Sequence, residues 1–244
     1  MKAMIFAAGL GTRLRPLTDT IPKALVCIGG KPMLERVIEK MIRADCREIV
    51  VNVHHFPEQI RDFLKEHHHF GITIHVSDES DAILDTGGGL LRAAALLRGD
   101  EPVLIHNVDV ISNLDLQMLV NWHRASQALA TLVVRERKTE RYLLFNREMR
   151  LTGWTNRDTG ETREALPEFI HDSKPLAFSG IHVVSPRFLD VLTGSGKFSL
   201  IDTYLRMTPF YPVMGYEDHS AVWMDVGKPA QLAEAERLAA AGEL

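Results

Sequence analysis

Short apolar runs alternate with stretches in which apolar residues return every three or four positions. Met4-Ile5-Phe6, Glu48–Val53, Ile72–Val76 and Pro102–Asp109 are continuous or nearly continuous apolar segments, the pattern of strands buried on both faces. Between them, Met33, Leu34, Val37, Ile38, Met41 and Ile42 keep helical spacing, as do Phe56, Ile60, Phe63 and Leu64, and then Leu90, Leu91, Ala94 and Leu97. Strands alternating with helices predict an α/β fold with a parallel sheet and helices on both faces. Farther along, Ala128–Val134 reads as a strand, and Tyr142–Phe145 with Arg150–Trp154 as a hairpin. Residues 155–175 are polar and predict a mobile flap or loop region. Leu176–Val184 predicts a strand interrupted by Gly180. Short helices over 188–192 and 200–207 and an amphipathic helix over 230–241 complete the pattern.

The densest chemistry follows the first strand. Ala7-Ala8-Gly9-Leu10-Gly11-Thr12-Arg13-Leu14-Arg15-Pro16-Leu17-Thr18 comes there, with Pro22-Lys23 just behind. Glycines let a backbone turn tightly and bring its N–H groups to a ligand. Thr12 adds a hydroxyl, and Arg13, Arg15 and Lys23 add positive charge. A strand followed by a glycine-rich, cationic loop suits a polyphosphate. Two familiar phosphate loops fail on spacing. A Walker loop needs four residues between its glycines, and Gly30-Lys31 is followed by Pro32. A dinucleotide fingerprint needs a third glycine where Leu14 stands.

Four other places carry candidate chemistry. Thr86-Gly87-Gly88-Gly89 opens a helix and either lets backbone touch a ligand or relieves tight packing. Asp109 ends a buried strand, at the edge where ligands gather in an open parallel sheet; the alternative is a helix-capping acid near Leu114-Asp115. Gly180 inside a strand marks either close approach by a ligand or a bulge. Asp225, before Gly227, belongs to a turn or, with Asp109, supplies a second hard oxygen donor for magnesium. The histidines at 54–55 and 67–69 read as solvated side chains rather than metal ligands, because adjacent residues point in different directions.

Gly-x-Gly-Thr-Arg-x-x-Pro-Leu-Thr over residues 9–18, followed by Pro22-Lys23, resembles the signature of the sugar-1-phosphate nucleotidyltransferases. Thr86–Gly89, Asn107-Val108-Asp109 and Trp223-x-Asp225-Val-Gly227 resemble further motifs of that family, so the likeness runs from residue 3 to about residue 236. It implies a Rossmann-like, GT-A-type fold with an open, mostly parallel but mixed sheet. It also implies transfer of a nucleotidyl group from an NTP to a sugar 1-phosphate, releasing pyrophosphate. Asp109 and Asp225 would be the ligands of Mg²⁺, with Mn²⁺ as a substitute. Arg13 and Lys23 would be catalytic. Ala8, Gly9, Gly11, Thr12, Arg13, Lys23, Thr86, Gly87, Gly88 and Asn107 would bind the nucleotide, and Gly180 the sugar. The family's Glu-Lys pair, which grips the sugar and its phosphate, has no match between 146 and 175; Arg141 and Lys174 are candidates instead. Compact length and Phe178-Ser179-Gly180 resemble the short N-acetylmuramate 1-phosphate uridylyltransferases, pointing to UTP and N-acetylmuramate 1-phosphate. Mannose 1-phosphate guanylyltransferases share much of the pattern, so GTP with mannose 1-phosphate is the alternative. The expected organisation is one domain over 1–244, with a nucleotide half to about 125, a sugar half from about 126 and no hexapeptide-repeat domain.

Composition narrows the classes. The chain has 244 residues, 45% of them apolar and 25% charged, enough for a full α/β core. Net charge is −4 and no basic run occurs, which argues against a broad nucleic-acid surface. Cys27 and Cys46 have no metal-like spacing, and no apolar run approaches membrane-spanning length. A cytoplasmic monomer or small homo-oligomer, with an NTP and a sugar 1-phosphate as its partners, is expected. Two other classes compete: a nucleotide-binding regulatory module without turnover, and a nicotinamide oxidoreductase. The latter is disfavoured by Leu14 and by Val53-His54, where a ribose-binding acid would stand.

Overall fold

A computed structural model describes residues 1–244. Strand β1 (Lys2–Phe6) leads through a loop to the small hairpin β2 (Cys27–Ile28) and β3 (Lys31–Pro32). Then come α1 (Met33–Arg43), β4 (Glu48–Val53), α2 (Pro57–Glu66), β5 (Thr73–Asp78), α3 (Asp85–Leu97), β6 (Val103–Asn107), the short β7 (Val110–Ser112) and α4 (Leu116–Ser126). The second half runs β8 (Ala130–Arg135), β9 (Arg141–Phe145), β10 (Leu151–Asn156), β11 (Thr162–Glu164), β12 (Lys174–Val184), α5 (Pro186–Val191), α6 (Leu200–Met207), β13 (Val213–Glu217), β14 (Trp223–Asp225) and α7 (Pro229–Ala240).

One mixed sheet organises these elements in the order β11-β10-β9-β12-β6-β1-β4-β5. Strands β6, β1, β4 and β5 are parallel, as the alternation with helices requires, and Phe6 ends level with Asn52 and Asn107. Strand β12 runs antiparallel to β6 and hands the sheet over to the antiparallel ribbon β9-β10-β11. Strand β8 pairs with β12 on one side and, in parallel, with β13 on the other. Successive side chains leave a strand on opposite faces. Ala3, Ile5, Ile49 and Val51 therefore enter one core beneath α1, α2 and α4, while Met4 and Val50 enter a second core that α3, α5 and α6 close. Two cores explain why these strands read as unbroken apolar runs.

Two elements depart from the expectation. The polar stretch expected as a flap supplies a third ribbon strand, β11, and a 3-10 turn, Pro167–Asp172. Thr162, Arg163 and Glu164 are all exposed, so no hydrophobic alternation announces the strand; it is held by its ladder with Gly153–Thr155 and by the Arg163 guanidinium over the Trp154 ring at 4.8 Å. Strand β13 went unread because Pro212 and Gly215 weaken its signal. Its position comes from tertiary pairing with β8. No helix is long and apolar enough to cross a membrane.

Candidate active site

The loop after β1 is shaped from inside. Gly11 has φ +65°, and a Cβ added there would stand 2.8 Å from Thr18 Cγ2. The Thr18 hydroxyl donates to the Gly11 carbonyl at 2.8 Å. Leu14, where a dinucleotide loop would have glycine, is buried and anchors the 3-10 turn Thr12–Leu14. A rail of buried polar groups holds the loop's entry: Ala7 N–H donates to Asn52 Oδ1 at 2.7 Å, and Asn52 Nδ2 donates to Glu79 Oε1 at 2.8 Å. Burial holds the Glu79 carboxyl above its ordinary range. Sequence reasoning missed both residues; an asparagine inside the apolar run 49–53 was the available signal.

The loop borders a cavity of about 540 Å³. Ala8, Gly9, Gly11, Thr12, Arg13, Lys23, Thr86, Asn107 and Asp109 all line it, which brings together most of the predicted nucleotide residues. Arg15 does not join them; it turns outward to Asp19 at 3.1 Å. Lys197, unread in the sequence, adds a cation from the segment between α5 and α6.

Two acids meet at the cavity's end. Asp109 lies in the turn from β6 to β7, and β7 pairs with β14 so that Val110 faces Asp225. The backbone clamps them further, as Val226 N–H donates to the Asp109 carbonyl at 2.8 Å. Lys23, itself buried, forms an ion pair with the Asp109 carboxylate. Asp225 Oδ1 is buried and has no hydrogen-bond partner. Its carboxyl is held above the ordinary range by burial first and by the Asp109 charge second, with Lys23, Arg13 and Arg137 pulling the other way. Arg13 reaches over this site because residue 227 is glycine: a Cβ there would stand 2.8 Å from both Arg13 Nη2 and Asp225 Oδ1. The helix-capping alternative for Asp109 fails, since Asp115 caps α4 by accepting from Met118 N–H at 2.9 Å. An uncompensated buried carboxylate oxygen beside a second acid fits a hard divalent cation. Mg²⁺ is commonly held by one or two carboxylates plus waters and phosphates. No group of three or more His, Cys, Asp or Glu side chains gathers in the structure, so the two carboxylates stand without a third such side chain.

Three predicted glycines stand elsewhere. Gly87 and Gly88 pack behind the cavity wall: added Cβ atoms would meet the Phe198 ring at 2.3 Å and the Gly196 carbonyl at 2.4 Å. Gly87 N–H already donates to the Phe198 carbonyl at 2.8 Å, and Thr86 N–H to Asp85 Oδ1 at 2.6 Å, so the start of α3 spends these donors internally. Gly180, at φ +75°, accommodates the chain's own Asn107 and Val110 and coincides with a register shift between β12 and β8. Gly87 and Gly88 are thus closely packed, and Gly180 lies at a bulge.

A second cavity, about 640 Å³, shares Phe6, Asp85, Thr86 and Asn107 with the first. Arg137, Arg141, Arg163, Tyr142, Trp154 and His182 are among its other lining residues. Arg141 sits exposed on its rim. Lys174 lies outside, engaged with Glu136 at 2.7 Å and Glu217 at 3.0 Å. At the floor, buried Tyr204 bonds His182 Nδ1 at 2.9 Å, and burial pushes His182 down to about 3.

Residues 2–152 match the model of the nucleotidyl transferase family. Among curated proteins, the N-acetylmuramate alpha-1-phosphate uridylyltransferase of Caulobacter vibrioides is 34% identical over 244 residues, covering 98% of this chain and 97% of that one. The mannose-1-phosphate guanyltransferase of Debaryomyces hansenii is 29% identical, covering 94% of this chain and 62% of its own. Among solved structures, the UDP-glucose pyrophosphorylase of Acinetobacter baumanii superposes with a TM-score of 0.79 at 18% identity, over 96% and 91% of the two chains, so the fold is shared.

Proposed function

The chain belongs to the nucleotidyl transferase family and is a sugar-1-phosphate nucleotidyltransferase by its relatives; from that premise we propose that it transfers a uridylyl group from UTP to N-acetylmuramate 1-phosphate. The higher identity to the uridylyltransferase, 34% against 29% for the guanylyltransferase, supports this choice over GTP with mannose 1-phosphate.

A phosphate oxygen of the sugar 1-phosphate attacks the α-phosphorus. One P–O bond forms, and the bond to the β-phosphate breaks, its electron pair leaving with pyrophosphate. The second pKa of a phosphate monoester is about 6, so the nucleophile is already anionic and needs no general base. The site's task is alignment and charge neutralisation. Backbone N–H groups of the 8–12 loop cradle the triphosphate. Lys23 moves its charge from Asp109 to the phosphates as they enter, and Arg13 holds the departing pyrophosphate. Asp109 and Asp225 would hold Mg²⁺, which would supply charge neutralisation at the reacting phosphates when bound. The observation that carries this reading is the buried, unpartnered Asp225 oxygen beside Asp109 at the end of the phosphate-loop cavity.

The test is pyrophosphate release from each of the four common NTPs with N-acetylmuramate, glucose and mannose 1-phosphates in Mg²⁺. Release with UTP and N-acetylmuramate 1-phosphate well above all other pairs is expected. A preference for GTP with mannose 1-phosphate overturns the substrate assignment, and no release from any pair overturns the activity.

A further inference from the structure

The Glu-Lys pair that the family resemblance implies for the acceptor has no match between 146 and 175, and Lys174 is engaged elsewhere. We propose that Arg137, lying just past β8, grips the phosphate of the sugar 1-phosphate; this rests on the activity proposed above.

Position comes first. Arg137 lines the second cavity, which joins the phosphate-loop cavity through Phe6, Asp85, Thr86 and Asn107. Its guanidinium lies 4.5 Å from the centre of the Trp223 ring. Trp223 is two residues before Asp225 on β14, and alternate residues of a strand share a face. The stack therefore sets the cation on the Asp225 side of that strand, where its charge acts on the Asp225 carboxylate. A phosphate attacking the α-phosphorus must pass between the two cavities, at this boundary.

Availability comes second. The other cations around the cavity are committed or peripheral. Arg163 is paired with Glu161 and Asp202, both at 2.8 Å, Arg135 with Asp218 at 3.4 Å, and Arg141 is an exposed rim residue. Arg137 has no acid within ion-pair distance. One Nη2 donor goes to the Phe178 carbonyl at 3.0 Å, while buried Nε has no partner. A half-buried guanidinium with free, directed donors is costly unless an anion arrives, and its planar fork matches phosphate oxygens.

Rigidity comes third. Trp223 Nε1–H donates to the Ser179 carbonyl at 3.0 Å, fixing the ring on which Arg137 stacks. The grip is thus tied to the strand bearing Asp225, so acceptor phosphate and cation-binding carboxylate keep one geometry.

The test uses Arg137→Met, Arg137→Lys and Arg141→Met in the full chain, with UTP and N-acetylmuramate 1-phosphate. Arg137→Met should raise KM for the sugar 1-phosphate about 30-fold, the effect of losing charge-assisted hydrogen bonds. KM for UTP should stay within about threefold, since the triphosphate keeps its own loop. Arg137→Lys should recover part of the acceptor affinity, because it restores charge without the fork. The lysine variant also covers the case in which the methionine variant fails to fold. Equal rises in both KM values, no change in either, or a larger acceptor effect from Arg141→Met would overturn the proposal. Wild-type enzyme that releases pyrophosphate alongside an indifferent Arg137→Met variant refutes the grip alone; a wild type with no turnover refutes the activity and the grip with it.

Discussion

The two cavities meet at Asn107 but are built by opposite means. The phosphate-loop side is made largely of backbone: one contiguous segment after a parallel strand, curved by Gly11, anchored by Leu14 and braced from below by Asn52 and Glu79. The acceptor side is made of side chains from the segment just past β8 and from β9, β10, β11 and β12, with arginines stacked on aromatic rings. A backbone site demands particular residue types at fixed spacing. A side-chain site requires only that some strand deliver a charge to the right place, so many sequences satisfy it.

The largest effect should come from the junction. Asp109→Asn or Asp225→Asn should each lower turnover about 100-fold or more, because charge stabilisation in the transition state is lost. EDTA should do the same to the wild type, and full activity in EDTA breaks the account. Next are two glycines from the same half with contrasting reasons to be glycine. Gly87→Ala drives a methyl into the Phe198 ring and should cost about 1–3 kcal/mol of stability in urea titration. Gly9→Ala meets nothing within 4 Å, so stability should hold while KM for UTP rises about tenfold if loop backbone touches phosphate. Loss of stability at Gly9, or none at Gly87, would blur the distinction between ligand-facing and packing glycines.

The last effect concerns acid. Burial pushes His106 and His182 down to about 3 and His123 to about 4. Unfolded histidine takes a proton near 6.5, whereas these sites remain neutral in the folded chain. Their contribution is complete above pH 6.5 and is lost as pH falls, at about 1.4 kcal/mol per pH unit for each site. His106 lies on β6, His182 on β12 and His123 on α4. His182→Gln should flatten the decline in urea midpoint between pH 6.5 and 5; an unchanged slope would place the acid sensitivity elsewhere.

The contrast also explains what could be read from the chain. The parallel half was legible because strands buried on both faces must be apolar throughout, and helices between them must show a periodic stripe. Residues 8–13, Lys23, Asn107 and Asp109, picked out by motif spacing, line one cavity in the fold. For Gly87, Gly88 and Gly180 the sequence says only that something comes close, and the neighbours in the fold are Phe198, Gly196 and Asn107. Strand β11 was invisible because its three residues are exposed. Arg137 sits in a polar segment, Arg135–Glu140, and its role depends on Trp223, which lies 86 positions later and reaches it only through folding.

The central claim is that Asp109 and Asp225 form one cation site at the boundary of the two cavities. Crystals grown with Mn²⁺ and UDP-N-acetylmuramate, with an anomalous difference map recorded at the manganese edge, test it directly. The account predicts one strong peak bonded to carboxylate oxygens of both acids and to the diphosphate of the ligand. A peak bonded to neither acid, or one at the histidines of residues 67–69 instead, would contradict it.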